Sequence, residues 1–303
     1  MFNNSSLLYS LYKLFLKGEE LEREFILKIF DKKKIEILIN EAILFKTENG
    51  YSSNYRIVPI AEHFIICSPP FEFDTPQYVY LGEDSIVFRD LLRKELKETV
   101  NHALEIGCGT GLLSLLMSQV AKDVTAVDIN QRALELTKLN AVINGFNNIN
   151  TYISDIYSNI DGKFDLIISN PPYVFLPDEC SGRTFAFGGN LGIDILEKIL
   201  LGLDKHLKDN GICYLIFFSY IKENQTNTAY ELIKKLFVDK HYHITLQQID
   251  YHPLKSHPQF YKQHGISHSI RYFVKIQKGI NHKFSHIALR GIKKFSEQIK
   301  LIL

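Results

Sequence analysis

Two short stretches of this 303-residue sequence carry side chains at spacings that could do chemistry. The first is Asn170-Pro171-Pro172-Tyr173, which follows the apolar run 164–169. Proline cannot donate to a strand ladder, so two in succession stop a strand and stiffen the loop behind it. A loop held in this way presents the Asn170 side-chain oxygen and the Pro171 carbonyl as two fixed acceptors. The group that matches them is an amide or an aromatic amino group, which donates both N–H hydrogens while its nitrogen is aimed at an electrophile. Such a nitrogen is a weak nucleophile because its lone pair is delocalised. Alignment, and stabilisation of the charge developing on nitrogen, must then carry the reaction. Tyr173 is expected to stack on the planar acceptor. Asn170, Pro171 and Tyr173 are therefore the expected catalytic residues, and a plain turn is the blander alternative.

The second stretch is Glu105-Ile106-Gly107-Cys108-Gly109-Thr110-Gly111, a glycine-rich turn between a strand and a helix. Glycine suits such a turn because a Cβ would keep a ligand away from the backbone. A dinucleotide fingerprint would place its third glycine at 112, where Leu112 stands, and no Lys-Ser/Thr pair follows to make a phosphate-binding loop. The spacing is ExGxGxG. A second strand, 124–127, leads to Asp128 about twenty residues beyond the first glycine, where a carboxylate can accept both hydroxyls of a ribose. Ile129 is placed to lie against an adenine ring and Asp155, after the strand 152–154, to accept its amino group. Each acid alone could be a solvated loop residue or helix cap, but the paired strand spacing favours a binding role. Glu105, Gly107, Cys108, Gly109, Gly111, Asp128, Ile129, Asp155 and Asn170 are the expected cofactor-binding residues.

With these motifs in order, residues 103–219 resemble the Rossmann-like S-adenosylmethionine-dependent methyltransferases. The Asn-Pro-Pro-Tyr motif is similar to that of amino-group methyltransferases acting on adenine, guanine, cytosine or protein glutamine. Phe185-Ala186-Phe187-Gly188-Gly189-Asn190-Leu191-Gly192-Ile193-Asp194 resembles the Gly-Gly-x-x-Gly segment of glutamine N5-methyltransferases of release factors and ribosomal proteins. Those release-factor enzymes carry a Pro-Arg-rich segment before the first glycine motif, and Tyr78-Val79-Tyr80-Leu81-Gly82-Glu83-Asp84-Ser85 stands in its place here. The arrangement looks more like a group of bacterial two-domain methyltransferases. The resemblance implies an enzyme with S-adenosylmethionine as cofactor that N-methylates a protein glutamine or a nucleobase. The alternative is a small-molecule methyltransferase of secondary metabolism that dimerises through its N-terminal domain. A nucleic-acid-binding module with a vestigial enzyme fold is a third reading, which the intact motif set disfavours.

The elements that must position these groups alternate from residue 102 onward. Strands are expected at 103–106, 124–127, 150–153, 164–169 and 211–218, and helices at 112–120, 132–144 and 193–206. The alternation predicts an α/β fold, a Rossmann-like seven-stranded methyltransferase sheet covered on both faces by helices. Strands at 242–248 and 269–277 are expected to form a closing hairpin whose loop helps to cover the substrate. Ahead of this lie three helical stretches (the third at 32–41) and strands at 43–47 and 55–60 around Asn49-Gly50. That order predicts a winged-helix-like α+β domain over residues 1–70. Its expected role is dimerisation or walling the substrate cleft, with nucleic-acid binding less favoured because only Lys32–Lys34 cluster as bases. Residues 71–100 are expected to be a linker and lead-in helix capped by Glu83-Asp84-Ser85, 101–280 the catalytic domain, and 281–303 a basic C-terminal helix.

Composition narrows the class. No apolar run approaches the ~20 residues of a membrane span, and Lys13 and Lys17 interrupt any secretory signal, so a membrane partner is not expected. Four scattered cysteines without a CxxC pair suit reduced cytoplasmic thiols. Residues 240–303 hold 11 Lys/Arg against two acids and eight of the 11 histidines. Lys275, Lys278, Lys283, Arg290, Lys293 and Lys294 among aromatics would suit RNA, and a solvated helix face suits them as well. His252, His257, His264 and His268 lack the convergent spacing of metal ligands, so no metal is expected.

Overall fold

The computed structural model describes residues 7–177, 180, 182–252, 254, 257–279 and 283–287. The chain starts with α1 (Leu7–Leu11), which runs on as a π-helical turn, Tyr12–Leu16. Then come β1 (Leu21–Glu22), α2 (Arg23–Ile29), α3 (Lys32–Asn40), β2 (Leu44–Lys46) and β3 (Gly50–Ser53). Asp31 caps α3, accepting the Lys34 amide at 2.8 Å. The three short strands pair antiparallel in the order β1-β3-β2. The β2–β3 turn closes at Asn49-Gly50, where the Thr47 amide donates to the Gly50 carbonyl at 3.0 Å. Leu14, Leu21, Ile26, Ile35, Leu44 and Tyr51 form a small core of their own.

The stretch 55–60 does not join that hairpin, as the sequence suggested it would. β4 (Arg56–Ile60) pairs instead with β5 (His63–Cys67) across a tight turn in which Ala61 is left-handed, φ 51°. This second hairpin puts Val58, Ile60 and Ile65 into a core with Leu112, Leu115 and Ala141 of the catalytic body. Its second strand is gripped by two asparagines, Asn140 within the helix Gln131–Ile143 and Asn144 at that helix's C-cap. Asn140 Oδ1 accepts from the Ile66 amide (2.8 Å) while its Nδ2 donates to the Ile66 carbonyl (2.9 Å), and Asn144 treats Phe64 in the same way. The pairing follows the tertiary partner: Val58, Ile60 and Ile65 find their apolar neighbours on Leu112, Leu115 and Ala141, outside the three-stranded sheet.

The lead-in helix α4 (Glu83–Glu95) starts at Glu83 with Gly82 as its N-cap and no side-chain cap. The expected capping by Glu83-Asp84-Ser85 is thus replaced by a backbone cap, which leaves the Asp84 and Ser85 side chains for another use. There follow β6 (Val100–Ile106), α5 (Leu112–Ser118), β7 (Ala121–Asp128), α6 (Gln131–Ile143), β8 (Ile149–Ile153), β9 (Phe164–Ser169), α7 (Asp194–His206) and β10 (Leu207–Lys222). The last described elements are α8 (Thr228–Phe237), β11 (Tyr242–His252), α9 (Pro258–Gln263), β12 (Ile266–Lys278) and β13 (Lys283–Ile287). Sequence periodicity had not picked out α8, although Asn227 caps it and Ala229, Leu232, Ile233 and Phe237 give it a buried face.

One sheet holds β13-β11-β12-β10-β9-β6-β7-β8. Strands β8 to β10 are mutually parallel, and β12 runs antiparallel to both its neighbours. The fold is α/β and Rossmann-like with a mostly parallel sheet, but the strand count expected as seven is eight. The extra strand is β13, parallel to β11, so Lys283–Ile287 is not part of a C-terminal helix. Residues 281–282 and 288–303, with Arg290, Lys293 and Lys294, lie outside the described residues. One sheet face packs Leu196, Leu200, Leu203 and Ile233, and the other packs Phe88, Leu92, Leu113 and Met117. Chain order reverses between β6 and β9, and a crevice opens at the carboxyl ends of such neighbouring strands. Among the described residues, no helix is long and apolar enough to cross a membrane.

Candidate functional site

Both chemistry-bearing stretches leave that reversal point. The loop after β6 folds tightly over β7, with the amides of Gly107 and Cys108 donating to the Val127 carbonyl at 2.8 and 3.0 Å. Gly107 and Gly109 have φ of +73° and +52°, and a Cβ at Gly107 would meet nothing within 4 Å. Its added methyl would project into the crevice, into space that a ligand could occupy. Gly111 is required for packing instead, because a Cβ there would lie 2.9 Å from the Thr137 side chain. Cys108 is buried, with the Thr137 hydroxyl donating to its sulfur at 3.3 Å.

Two acids face this loop. Asp128 ends β7, where its two carboxylate oxygens accept the amides of Gly109 and Asn130, each at 2.9 Å. Burial raises its pKa against the opposing pull of those amide bonds. Glu105 is buried at the end of β6, accepts the Ser114 hydroxyl, and is pushed up to about 8 by burial. Ile129 is 53% exposed although apolar, and Asp155 is exposed after β8. Both line the same crevice.

The other end is built around β9. Ser169 fastens it to β6 by donating to the Ile106 carbonyl at 2.8 Å. Asn170 Nδ2 donates to Asp84 Oδ2 at 2.8 Å and to Ser85 Oγ at 3.2 Å, and the Tyr173 hydroxyl donates to the same Asp84 oxygen at 2.9 Å. Asn170 Oδ1 is buried without a hydrogen-bond partner. Tyr173 is buried, T-shaped against Phe218 at 4.9 Å, and is not among the residues lining the crevice. The aromatic faces lining the crevice belong instead to residues the sequence did not single out. Tyr80 and Phe185 stack at 5.5 Å and 15°, and both line the crevice with Tyr78 and Phe187.

The Gly-Gly-x-x-Gly segment has a steric reason to accompany this loop. A Cβ at Gly188 would lie 2.7 Å from the Tyr173 Cα, and one at Gly192 would lie 2.3 Å from the Tyr173 carbonyl. Only bare backbone passes there, and it is bonded through the Gly188 amide to the Val174 carbonyl at 2.9 Å.

One cavity of about 270 Å³ gathers Glu105, Gly107, Cys108, Gly109, Asp128, Ile129, Asp155, Asn170 and Pro171. Gly111 and Tyr173 lie behind its wall. Missing from the expected set were Tyr80, Ser85, Phe185 and, just behind, Asp84. The aromatic pair in Tyr78-Val79-Tyr80 was the only local hint. Beyond Phe187 a wider groove of about 1010 Å³ continues to α9, lined by Phe175, Asn190, His257, Gln259, Phe260 and His264 among others. His264 Nδ1 lies 2.8 Å from the Phe260 carbonyl, and His252 lies 2.9 Å from Asp250. Among the described residues no three His, Cys, Asp or Glu side chains group as metal ligands.

Residues 89–245 match the family model described as methyltransferase small domain. A candidate protein N5-glutamine methyltransferase of Methanocaldococcus jannaschii is 39% identical over 157 residues, covering 50% of this chain and 77% of that protein. The release factor glutamine methyltransferase of Aquifex aeolicus is 35% identical, covering 43% of this chain and 50% of its own. The chain thus spans about half the length of that release-factor enzyme. Among solved structures, Trm5b from Pyrococcus abyssi superposes with a TM-score of 0.50 at 15% identity, over 77% of this chain and 62% of that one, a likeness of fold.

Proposed function

Because this chain belongs to the methyltransferase small domain family and is an S-adenosylmethionine-dependent enzyme, we propose that it methylates the side-chain amide nitrogen of a glutamine in a protein. The observation that carries this reading is the buried, unpartnered Asn170 Oδ1 in the wall of the crevice. A buried acceptor left unmatched costs about 1–3 kcal/mol, which a donor arriving with substrate would recover. With the Pro171 carbonyl it makes a pair of acceptors suited to one NH2 group. The cofactor supplies an electrophilic methyl on its sulfonium. Asp128 holds the ribose, Asp155 and Ile129 the adenine, and the open faces of Gly107 and Gly109 admit its body. Asn170 and Pro171 orient the acceptor nitrogen, while the stacked Tyr80–Phe185 pair walls the crevice beside it and excludes water.

A protein acceptor is favoured over RNA and over a small metabolite. The crevice shares Phe187 with a neighbouring groove of about 1010 Å³, into which a polypeptide segment would extend. The described residues lining that groove include amides, aromatics and histidines but neither Lys nor Arg, whereas a polyanion would call for bases. Lys275 and Lys278 are engaged, with Glu95 and with the carbonyls of Asp204 and Leu207. We further infer that residues 7–53 form a winged-helix-like unit, supported by the element order and the hairpin at Asn49-Gly50. Four free thiols, three of them buried, suit a reducing, cytoplasmic setting. The test is transfer of labelled methyl from the cofactor into fractionated cell protein, with hydrolysis and mass spectrometry of the product. Recovery of N5-methylglutamine is the expected result. Label confined to nucleic acid or to metabolites would overturn the reading.

A further inference from the structure

Asn170 can present either end of its amide to the crevice, and only one end accepts. What settles the choice lies 86 residues earlier in the chain, in the first turn of α4. Asp84 Oδ2 receives both Asn170 Nδ2 and the Tyr173 hydroxyl, while Ser85 Oγ receives Asn170 Nδ2 as well. A carboxylate can only accept, so the Asn170 group facing it must be the NH2. The reversed amide would set two oxygens in contact at hydrogen-bond range. With both its donors committed, Asn170 has its oxygen left over, and that is the atom found buried without a partner.

The helix start is itself held so that the carboxylate stays available. Gly82 caps α4 with backbone alone, and a side chain there would strike the Tyr80 hydroxyl, 1.7 Å from the position of a Cβ. The neighbouring Glu83 lies 3.9 Å from the buried Arg271, which is bonded to Asp250 at 2.9 Å, tying this end of α4 to β12 and β11.

We infer that Asp84 is a positioning residue that locks the Asn170 amide with its oxygen toward the acceptor, so that the site takes N–H donors. The inference rests on the amide-nitrogen reading of the site for its purpose, but its geometry can be tested without an acceptor.

In deuterated, 15N-labelled protein the Asn170 side-chain amide is the NH2 signal missing from Asn170→Asp. Its hydrogens should exchange slowly in the wild type and about tenfold faster in Asp84→Asn, where a neutral, reversible amide replaces the charged acceptor. Methyl transfer to a synthetic glutamine-containing peptide should fall about tenfold or more in Asp84→Asn, with cofactor affinity unchanged. The double variant Asp84→Asn/Asn170→Asp restores one donor facing one carboxylate and leaves an acceptor oxygen for the substrate. It should turn over faster than either single variant, a rescue that a merely structural Asp84 would not give. Unchanged amide exchange in Asp84→Asn, or a double variant no faster than the faster single, would overturn the inference. If the wild type methylates no glutamine peptide, the substrate reading fails, and the exchange measurement still decides on Asp84.

Discussion

At the cofactor end of the crevice the ligand-facing groups come from neighbouring segments and act largely through backbone. Gly109 and Asp128, 19 residues apart, are joined by one hydrogen bond from the Gly109 amide, and the amides of Gly107 and Cys108 donate to the Val127 carbonyl. At the acceptor end the working groups are side chains joined across the fold. Asp84 meets Asn170 and Tyr173 over separations of 86 and 89 residues, and Tyr80 meets Phe185. A backbone cradle follows from strand, turn and glycine placement, so it survives most side-chain changes and depends on single glycines and one acid. A clamp of side chains depends on each member, and the loss of one leaves its partner buried and unmatched.

The comparison breaks most visibly at Asp128. Asp128→Ala would remove the proposed charge-assisted bonds to the ribose, worth about 1.5–3 kcal/mol each, so cofactor affinity should fall by roughly 10²–10⁴-fold in calorimetric titration. Maximal turnover at saturating cofactor should change far less. Because burial raises the Asp128 pKa, affinity should begin to drop with acidification at higher pH than for an ordinary carboxylate. Wild-type affinity in the variant would mean that the cradle works by backbone alone.

Asn170→Ala acts on the other end. Single-turnover methyl transfer should slow by roughly 10²–10³-fold, the scale for losing one oriented polar group, while cofactor titration stays near wild type. Near-wild-type rates would reduce the acceptor end to a structural loop.

Asn170→Asp sharpens the distinction. It sets a second carboxylate against Asp84, beside Tyr80 and Tyr173 and within reach of the Arg271 charge. Two carboxylates at hydrogen-bond distance do not both ionise, so they must share a proton. The variant should run about tenfold faster than Asn170→Ala, with its advantage growing as pH falls. A pH-independent rate equal to that of the alanine variant would remove the acceptor role.

An effect on stability and not on the reaction is expected at Glu105, whose carboxyl is held up to about 8 by burial against an ordinary 4.5. Between those values the unfolded chain releases a proton that the folded chain keeps, so wild-type stability should decline as pH rises from 4.5 to about 8. Glu105→Gln resembles the protonated form and should lack that component of the decline in thermal melts across the range. An unchanged pH slope would show that Glu105 is ionised in its pocket.

The strands and helices from Val100 to Leu207 were legible in the residues to within a few positions, and so was the convergence of the glycine turn, Asp128, Asp155, Asn170 and Pro171 on one crevice. Each of these is written in local patterns of periodicity, proline and glycine, which act on the backbone within a few residues. Tertiary structure alone decided where the strand at 56–60 would pair, because the asparagines of α6 grip its hairpin. It also decided that Lys283–Ile287 would be an eighth strand, since an added edge strand is specified by the open ladder of β11 and not by its own residues. Tyr173 turned inward and Asp84 became its partner for the same reason. A buried hydroxyl must find an acceptor, and which acceptor lies near is a property of the assembled sheet and helix, which spacing along the chain does not encode.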